Sequence, residues 1–193
     1  MTVAFYNGFR DRLVEDYHVR NRRVVMALDF AKHTLAGCRT VLDVGCGIGW
    51  TTHELADTKT EVVGLDISPA LIRTARAMFP AHRFVTTEFV AWQPEPVDAV
   101  VMIDVYEHFP LADRPAVHRQ IRDTGATRLV MTVPTPEAMQ YARDNSIPLQ
   151  PIDEDVTDAD IGAVAADLDG HIVVNRRVTV WRPNDYRHVL ITC

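Results

Sequence analysis

Between residues 10 and 36 the apolar side chains Leu13, Val14, Tyr17, Val24, Leu28, Ala31 and Leu35 recur mostly every three to four positions. That is the period of a helix with one buried stripe, so one or two helices are predicted here, broken near Asn21 and stopped at Gly37. From residue 40 short β-branched runs alternate with helical patterns. TVLDVG (40–45), EVVGLDIS (61–68), RFVTTEF (83–89), VDAVVMIDV (97–105) and RLVMTVP (128–134) read as strands. Residues 51–57, Pro69 to Phe79 and 113–124 read as helices between them, the second with proline at its first position. Strands that alternate with helices pair in parallel, which predicts an α/β layered domain.

The pattern dissolves from Pro134 to Thr157 apart from one helical segment, Glu137 to Asp144, and such a stretch inside a domain reads as a lid or binding loop. A last helix is predicted over 158–168. HIVVNRRVTVW and DYRHVLIT then form two strand-like runs whose short connection, Arg182 to Asn184, favours an antiparallel hairpin. The organisation expected is one domain over 1–193, with a helical cap at 1–36, a core at 37–193 and a lid at 134–157.

Composition narrows the function. With 47% hydrophobic and 24% charged residues the chain lies in the globular range. The formal charge of −6 disfavours an unaided grip on a phosphate backbone, although basic residues outnumber acidic ones in the first forty positions. No apolar run approaches the roughly 18 residues that cross a bilayer, and the N-terminus lacks the order of a signal peptide, so a cytoplasmic protein without membrane contact is expected. Three cysteines without CxxC spacing, Cys38, Cys46 and Cys193, point to neither a disulfide framework nor a zinc site.

The candidate chemistry begins at VLDVGCGIGW. Glycines at 45, 47 and 49 let the chain turn tightly after the first strand and bring backbone close to a ligand. Asp66 ends the second strand, where a carboxylate can accept both hydroxyl hydrogens of a ribose. The dinucleotide pattern G-x-G-x-x-G is absent, because Trp50 follows three after Gly47, and this argues against a nicotinamide oxidoreductase.

VLDVGCGIGW, VVGLDIS, FVTTEF and DAVVMIDVYEHF resemble, in order and spacing, the successive motifs of class I S-adenosylmethionine-dependent methyltransferases. The resemblance covers roughly residues 37–193. It implies a Rossmann-like three-layer sandwich whose seven-stranded sheet has the order 3-2-1-4-5-7-6 with strand seven antiparallel, and S-adenosyl-L-methionine as cofactor, released as S-adenosyl-L-homocysteine. By that resemblance Asp43 and the backbone of Gly45, Cys46 and Gly47 hold the methionine part and Asp66 the ribose. Ile67 packs on the adenine, Glu88 accepts from its amine and Phe89 donates its backbone N–H, with Ile103 lining the same site.

Methyl transfer from a sulfonium is in-line displacement, so much of the catalysis is alignment. A hydroxyl acceptor also needs a base, and the candidates follow the fourth strand: His108 first, then Glu107, with Asp104 beside them. His108 also fits as a residue that caps or packs the next helix, and Tyr106 as core. Asp104, Glu107 and His108 further resemble the E-x-x-E-H signature of metal-dependent methyltransferases. Asp replaces the first Glu and VPTPE lacks the histidines of the small-RNA enzymes, so a divalent metal is not favoured and no metal ligand is assigned. Tyr6, Tyr17, Arg20 and Arg23 from the cap, and Met139, Tyr141 and Gln150 from the lid, are candidates to line the acceptor space. The leading expectation is methylation of a small-molecule acceptor, at oxygen before carbon or nitrogen, in biosynthetic or specialised metabolism. The alternatives are an RNA or protein methyltransferase docking through the arginine-rich segment 10–23, and an inactive cofactor-binding partner or sensor.

Overall fold

Period-two alternation in the central strands explains the layering. On β1 (Thr40–Val44) Leu42 and Val44 face one layer and Val41 the other; on β4 (Ala99–Ile103) Val100 and Met102 oppose Ala99, Val101 and Ile103. Both strands are buried on both faces, as a sheet covered by helices requires. The computed structural model describes residues 2–57 and 59–193; Met1 of the expected cap lies outside them. With β2 (Glu61–Asp66), β3 (Arg83–Thr86), β5 (Arg128–Pro134), β6 (His171–Val178) and β7 (Tyr186–Thr192) the sheet has the order β3-β2-β1-β4-β5-β7-β6. The first five strands in sequence pair in parallel, and β7 runs antiparallel to both β5 and β6. The fold is the Rossmann-like sandwich that the motifs implied.

Helices α1 (Thr2–Asn7), α2 (Arg10–His18), α3 (Arg22–Thr34), α4 (Trp50–Leu55), α5 (Pro69–Met78), α6 (Arg114–Asp123), α7 (Pro136–Asp144) and α8 (Asp158–Asp167) surround the sheet. One apolar layer joins Val117, Ile121, Ile161 and Val164 of α6 and α8 to Leu42, Val100 and Leu129. The opposite layer joins Ala27, Leu28 and Ala31 of α3 to Val41, Val101 and Val130. Each large aliphatic buried this way contributes about 1.5–3 kcal/mol. Local signals set the helix starts. Asn21 breaks the N-terminal pattern because its side chain accepts from Arg23 N–H at 3.0 Å, Ser68 and Thr135 cap α5 and α7, and Thr157 with Asp160 forms a capping box on α8.

Strands β3 and β4 are among those that end sooner than their sequence pattern. Thr87 N–H turns back to the Asp66 carbonyl at 3.0 Å, so β3 stops at Thr86 and Phe89–Ala91 forms a 3₁₀ turn. Asp104 takes a left-handed φ of 54°, which ends β4 at Ile103. Helix α1, which the periodicity did not foresee, is tied down by Asn7, whose Oδ1 accepts from Ser68 Oγ at 2.7 Å. Among the described residues no helix is long and apolar enough to cross a membrane.

Candidate active site

The C-terminal ends of β1, β2, β4 and β5 open into a cavity of about 930 Å³, roofed by α1 and α2 on one side and by residues 138–153 on the other. This is where parallel α/β sheets bind ligands. The turn after β1 brings its backbone to the cavity wall through Gly45 (φ 72°) and Gly47 (φ 56°). A Cβ on Gly45 would lie 2.4 Å from Val105 Cγ2. Gly45→Ala is therefore expected to lower the melting temperature by about 5 °C, from about 1–2 kcal/mol of backbone strain plus overlap. A thermal melt checks it, and an unchanged midpoint would refute the packing argument.

Asp66 lines the cavity at the end of β2, 9% exposed, with one backbone donor on each oxygen: Gly47 N–H on Oδ2 at 2.9 Å and Ser68 N–H on Oδ1 at 2.8 Å. Burial pushes its pKa up against the pull of those two donors. Each oxygen keeps a lone pair, so the carboxylate suits two adjacent hydroxyls. Ile67, Phe89, half-buried or buried, and the exposed Glu88 line the same cavity, as do Cys46 and Ile103. The residues present fit a nucleoside with a ribose diol and an apolar-bound base.

Asp43 lies behind the glycine turn. It is 1% exposed and not among the lining residues; the hydroxyls of Thr51 and Thr52 both donate to its Oδ2, at 2.5 and 2.6 Å. Burial pushes its pKa up to about 6. It braces the glycine turn against the start of α4, and Thr51 takes the lining position.

Past β4, Tyr106 is core: fully buried, with its hydroxyl 2.8 Å from His118 Nε2. Glu107 and His108 follow on the same 3₁₀ turn and both line the cavity. His108 Nδ1 lies 2.8 Å from the Ile152 carbonyl and 3.0 Å from Asp153 Oδ1. Both partners only accept, so Nδ1 carries the proton and the neutral ring keeps its lone pair on Nε2. Burial works to lower the His108 pKa, but Glu107, Asp153 and the Ile152 carbonyl outweigh it and hold it above the ordinary imidazole value. Asp104 is ion-paired with Arg23 of α3, so the trio 104, 107 and 108 does not converge; among the described residues no three His, Cys, Asp or Glu side chains form a metal-holding group.

Tyr6, Arg23, Met139, Tyr141 and Gln150 line the cavity as expected, but Tyr17 and Arg20 do not. Tyr17 packs edge-on against Trp50 and Phe79, and Arg20 bonds Glu54 at 2.5 Å while lying over the Trp50 ring. Tyr17 on α2 and Arg20, left-handed (φ 53°) in the link after it, both turn toward α4 instead of the cavity. Sequence reasoning missed Ile152 and Asp153, since nothing local marks residues 44 and 45 positions from the ring they hold.

A model of the methyltransferase domain family matches residues 41–128, from β1 to the start of β5. The matched region, a little under half of the chain, resembles a methyltransferase domain. Over 98 residues the domain is 36% identical to the trans-aconitate 2-methyltransferase of Paracidovorax citrulli, which is 50% of this chain and 34% of that protein. It is 36% identical over 94 residues to the ubiquinone biosynthesis O-methyltransferase of Alkalilimnicola ehrlichii, 44% of this chain and 38% of that one. The matched stretch thus spans about a third of the length of these relatives. In fold, the chain superposes on the magnesium protoporphyrin IX methyltransferase of Synechocystis PCC 6803, solved with bound S-adenosylhomocysteine, with a TM-score of 0.74 at 18% identity over 95% of each chain. S-adenosylmethionine is the cofactor of this domain family.

Proposed function

We propose that the protein methylates an oxygen of a small-molecule acceptor, with His108 as general base. The observation that carries this reading is the hold on His108 Nδ1, which leaves Nε2 as the one basic nitrogen of a ring that lines the cavity. Bound S-adenosylmethionine supplies an electrophilic methyl carbon. Asp66 holds the ribose diol, Glu88 and the Phe89 N–H read the base, and the glycine turn lets backbone lie alongside the methionine part. His108 accepts the acceptor's proton as the oxygen attacks, while Asp153 and the Ile152 carbonyl keep the ring in one tautomer and stabilise the imidazolium that forms. Residues 1–36 and 134–157 serve as cap and lid over the core 37–193, and their aromatic side chains exclude water. Acceptors named for relatives, trans-aconitate and a ubiquinone precursor, support a small molecule.

Docking of RNA through the arginine-rich segment is disfavoured by its pairing, because Arg10, Arg20 and Arg23 are engaged by Asp11, Glu54 and Asp104. The test is to incubate the protein with methyl-labelled S-adenosylmethionine and a fractionated cell extract, with and without chelator. Label is expected in the small-molecule fraction on an O-methylated product, at equal yield in both arms. Label confined to RNA or protein would overturn the reading, and absence of turnover with every fraction would favour a cofactor sensor.

A further inference from the structure

Glu107 has a role that methyl transfer leaves unassigned. It is 2% exposed, lines the cavity, and its Oε2 has no hydrogen-bond partner among the described residues. A buried carboxylate oxygen without a donor costs more than almost any other single polar group, so such an atom at a ligand site marks what the ligand must bring. It must bring a donor. The two-fold terminal torsion of the side chain lets either oxygen turn to the cavity.

The surroundings narrow the donor further. The Tyr6 hydroxyl and Gln150 Oε1, both lining the cavity, also lack partners, and a ligand hydroxyl that donates to Glu107 can accept from Tyr6. Glu107 and Asp153 place two carboxylates at this end of the cavity and Arg23 is engaged by Asp104, so a ligand carboxylate beside the donor would meet like charge. Glu107 and His108 are consecutive, with Cα atoms about 3.8 Å apart, so one ring can reach both. Aromatic walls of Tyr6, Phe9, Phe109, Trp181 and Tyr186 suit a planar body.

Resting on the O-methylation reading, we infer that Glu107 determines acceptor specificity by binding a second hydrogen-bond donor on the ring whose hydroxyl faces His108. The acceptor class is a hydroxyaromatic with a further hydroxyl or amino group and no carboxylate beside it. Glu107 receives that hydrogen bond and His108 takes the proton of the reacting hydroxyl.

The test is calorimetric binding of simple probes to the protein saturated with S-adenosylhomocysteine: 1,2-dihydroxybenzene, 1,3-dihydroxybenzene, 2-aminophenol, phenol and 2-hydroxybenzoate. The better of the two-donor probes is expected to bind at least about ten-fold tighter than phenol, a difference of about 1.4 kcal/mol, and 2-hydroxybenzoate no tighter than phenol. Glu107→Leu should erase the preference, and Glu107→Gln, which keeps a neutral acceptor, should retain part of it. Glu107→Leu should melt no lower than the parent, because it removes a carboxylate whose charge burial already disfavours and whose Oε2 has no hydrogen-bond partner among the described residues. Phenol binding as tightly as every two-donor probe, or a preference that survives Glu107→Leu, would overturn the inference. So would weakened S-adenosylhomocysteine binding in Glu107→Leu, which would assign the carboxylate to the cofactor. Binding is read without turnover. Glu107-dependent binding of a diol that is never methylated would therefore count against the O-methylation reading alone.

Discussion

Asp66→Ala is expected to raise the dissociation constant of S-adenosylhomocysteine by about 100-fold, since hydrogen bonds to a charged group contribute about 1.5–3 kcal/mol each and two are removed. The prediction rests on the lone pairs that remain on Oδ1 and Oδ2 after Ser68 and Gly47 have each donated one N–H. Those two donors also define the cost to the fold. With the carboxylate gone, Gly47 N–H and Ser68 N–H lose their acceptor, so the variant should melt lower as well. Glu88→Gln separates the two effects. Glu88 is exposed, so its replacement should leave the melt unchanged and weaken cofactor binding by less than about ten-fold. Titration calorimetry on the three proteins checks this, and an affinity in Asp66→Ala within threefold of the parent would remove Asp66 from the cofactor site.

His108→Gln is expected to lower kcat by about 10²–10⁴-fold, the usual contribution of a positioned general base, with S-adenosylhomocysteine affinity unchanged. The pH profile gives an independent readout. A base must be neutral to act, so the rate should fall as pH drops through the His108 pKa, which its carboxylate neighbours hold above 6.5. Asp153→Asn removes one of the groups that favour the imidazolium, so the inflection should move to lower pH while the plateau also falls because the ring is less firmly held. A purely packing role for Asp153 would change the plateau without moving the inflection. A profile flat from pH 5 to 9 in the parent enzyme would show that no group titrating in this range limits transfer, and His108 would then be a positioning residue at most.

Glu107 and Asp104 show how one sequence motif divides into different duties. In order of sequence both are acids beside a histidine, a pattern that fits bases and metal ligands alike. In the fold both line the cavity and each keeps one buried oxygen without a hydrogen-bond partner among the described residues, but Asp104 adopts a left-handed backbone and ion-pairs with Arg23 from a helix some eighty residues earlier, whereas Glu107 has no ion-pair partner there. No spacing rule separates these outcomes. The separation comes from which helix passes over each residue.

Much of the fold was legible without coordinates. β-branched runs alternating with 3.6-periodic segments imply parallel strands with crossover helices, and the short link at 182–184 implies the antiparallel β6–β7 pair. Asn21 was legible as a break because its side chain serves better as a cap than within a helix. Asp66 was legible because a strand end, a glycine turn and a spacing of 17 residues from Gly49 are all local. The threonine partners of Asp43 were not legible, because VLDVG reads the same whether the aspartate meets a ligand or two threonine hydroxyls.

The sequence by itself determined the layer architecture, the strand order through its family motifs, and the glycine turn with its acidic partner. Each of these is encoded in side-chain periodicity or in residues that are neighbours along the chain. Tertiary structure alone decided that Asp43 faces inward, that Arg23 occupies Asp104, that Tyr17 and Arg20 pack on α4, and that Ile152 and Asp153 hold His108. Those outcomes depend on contacts between segments far apart in sequence, whose partners are selected by burial and by the need to satisfy each buried polar group, and neither is visible before the chain is folded.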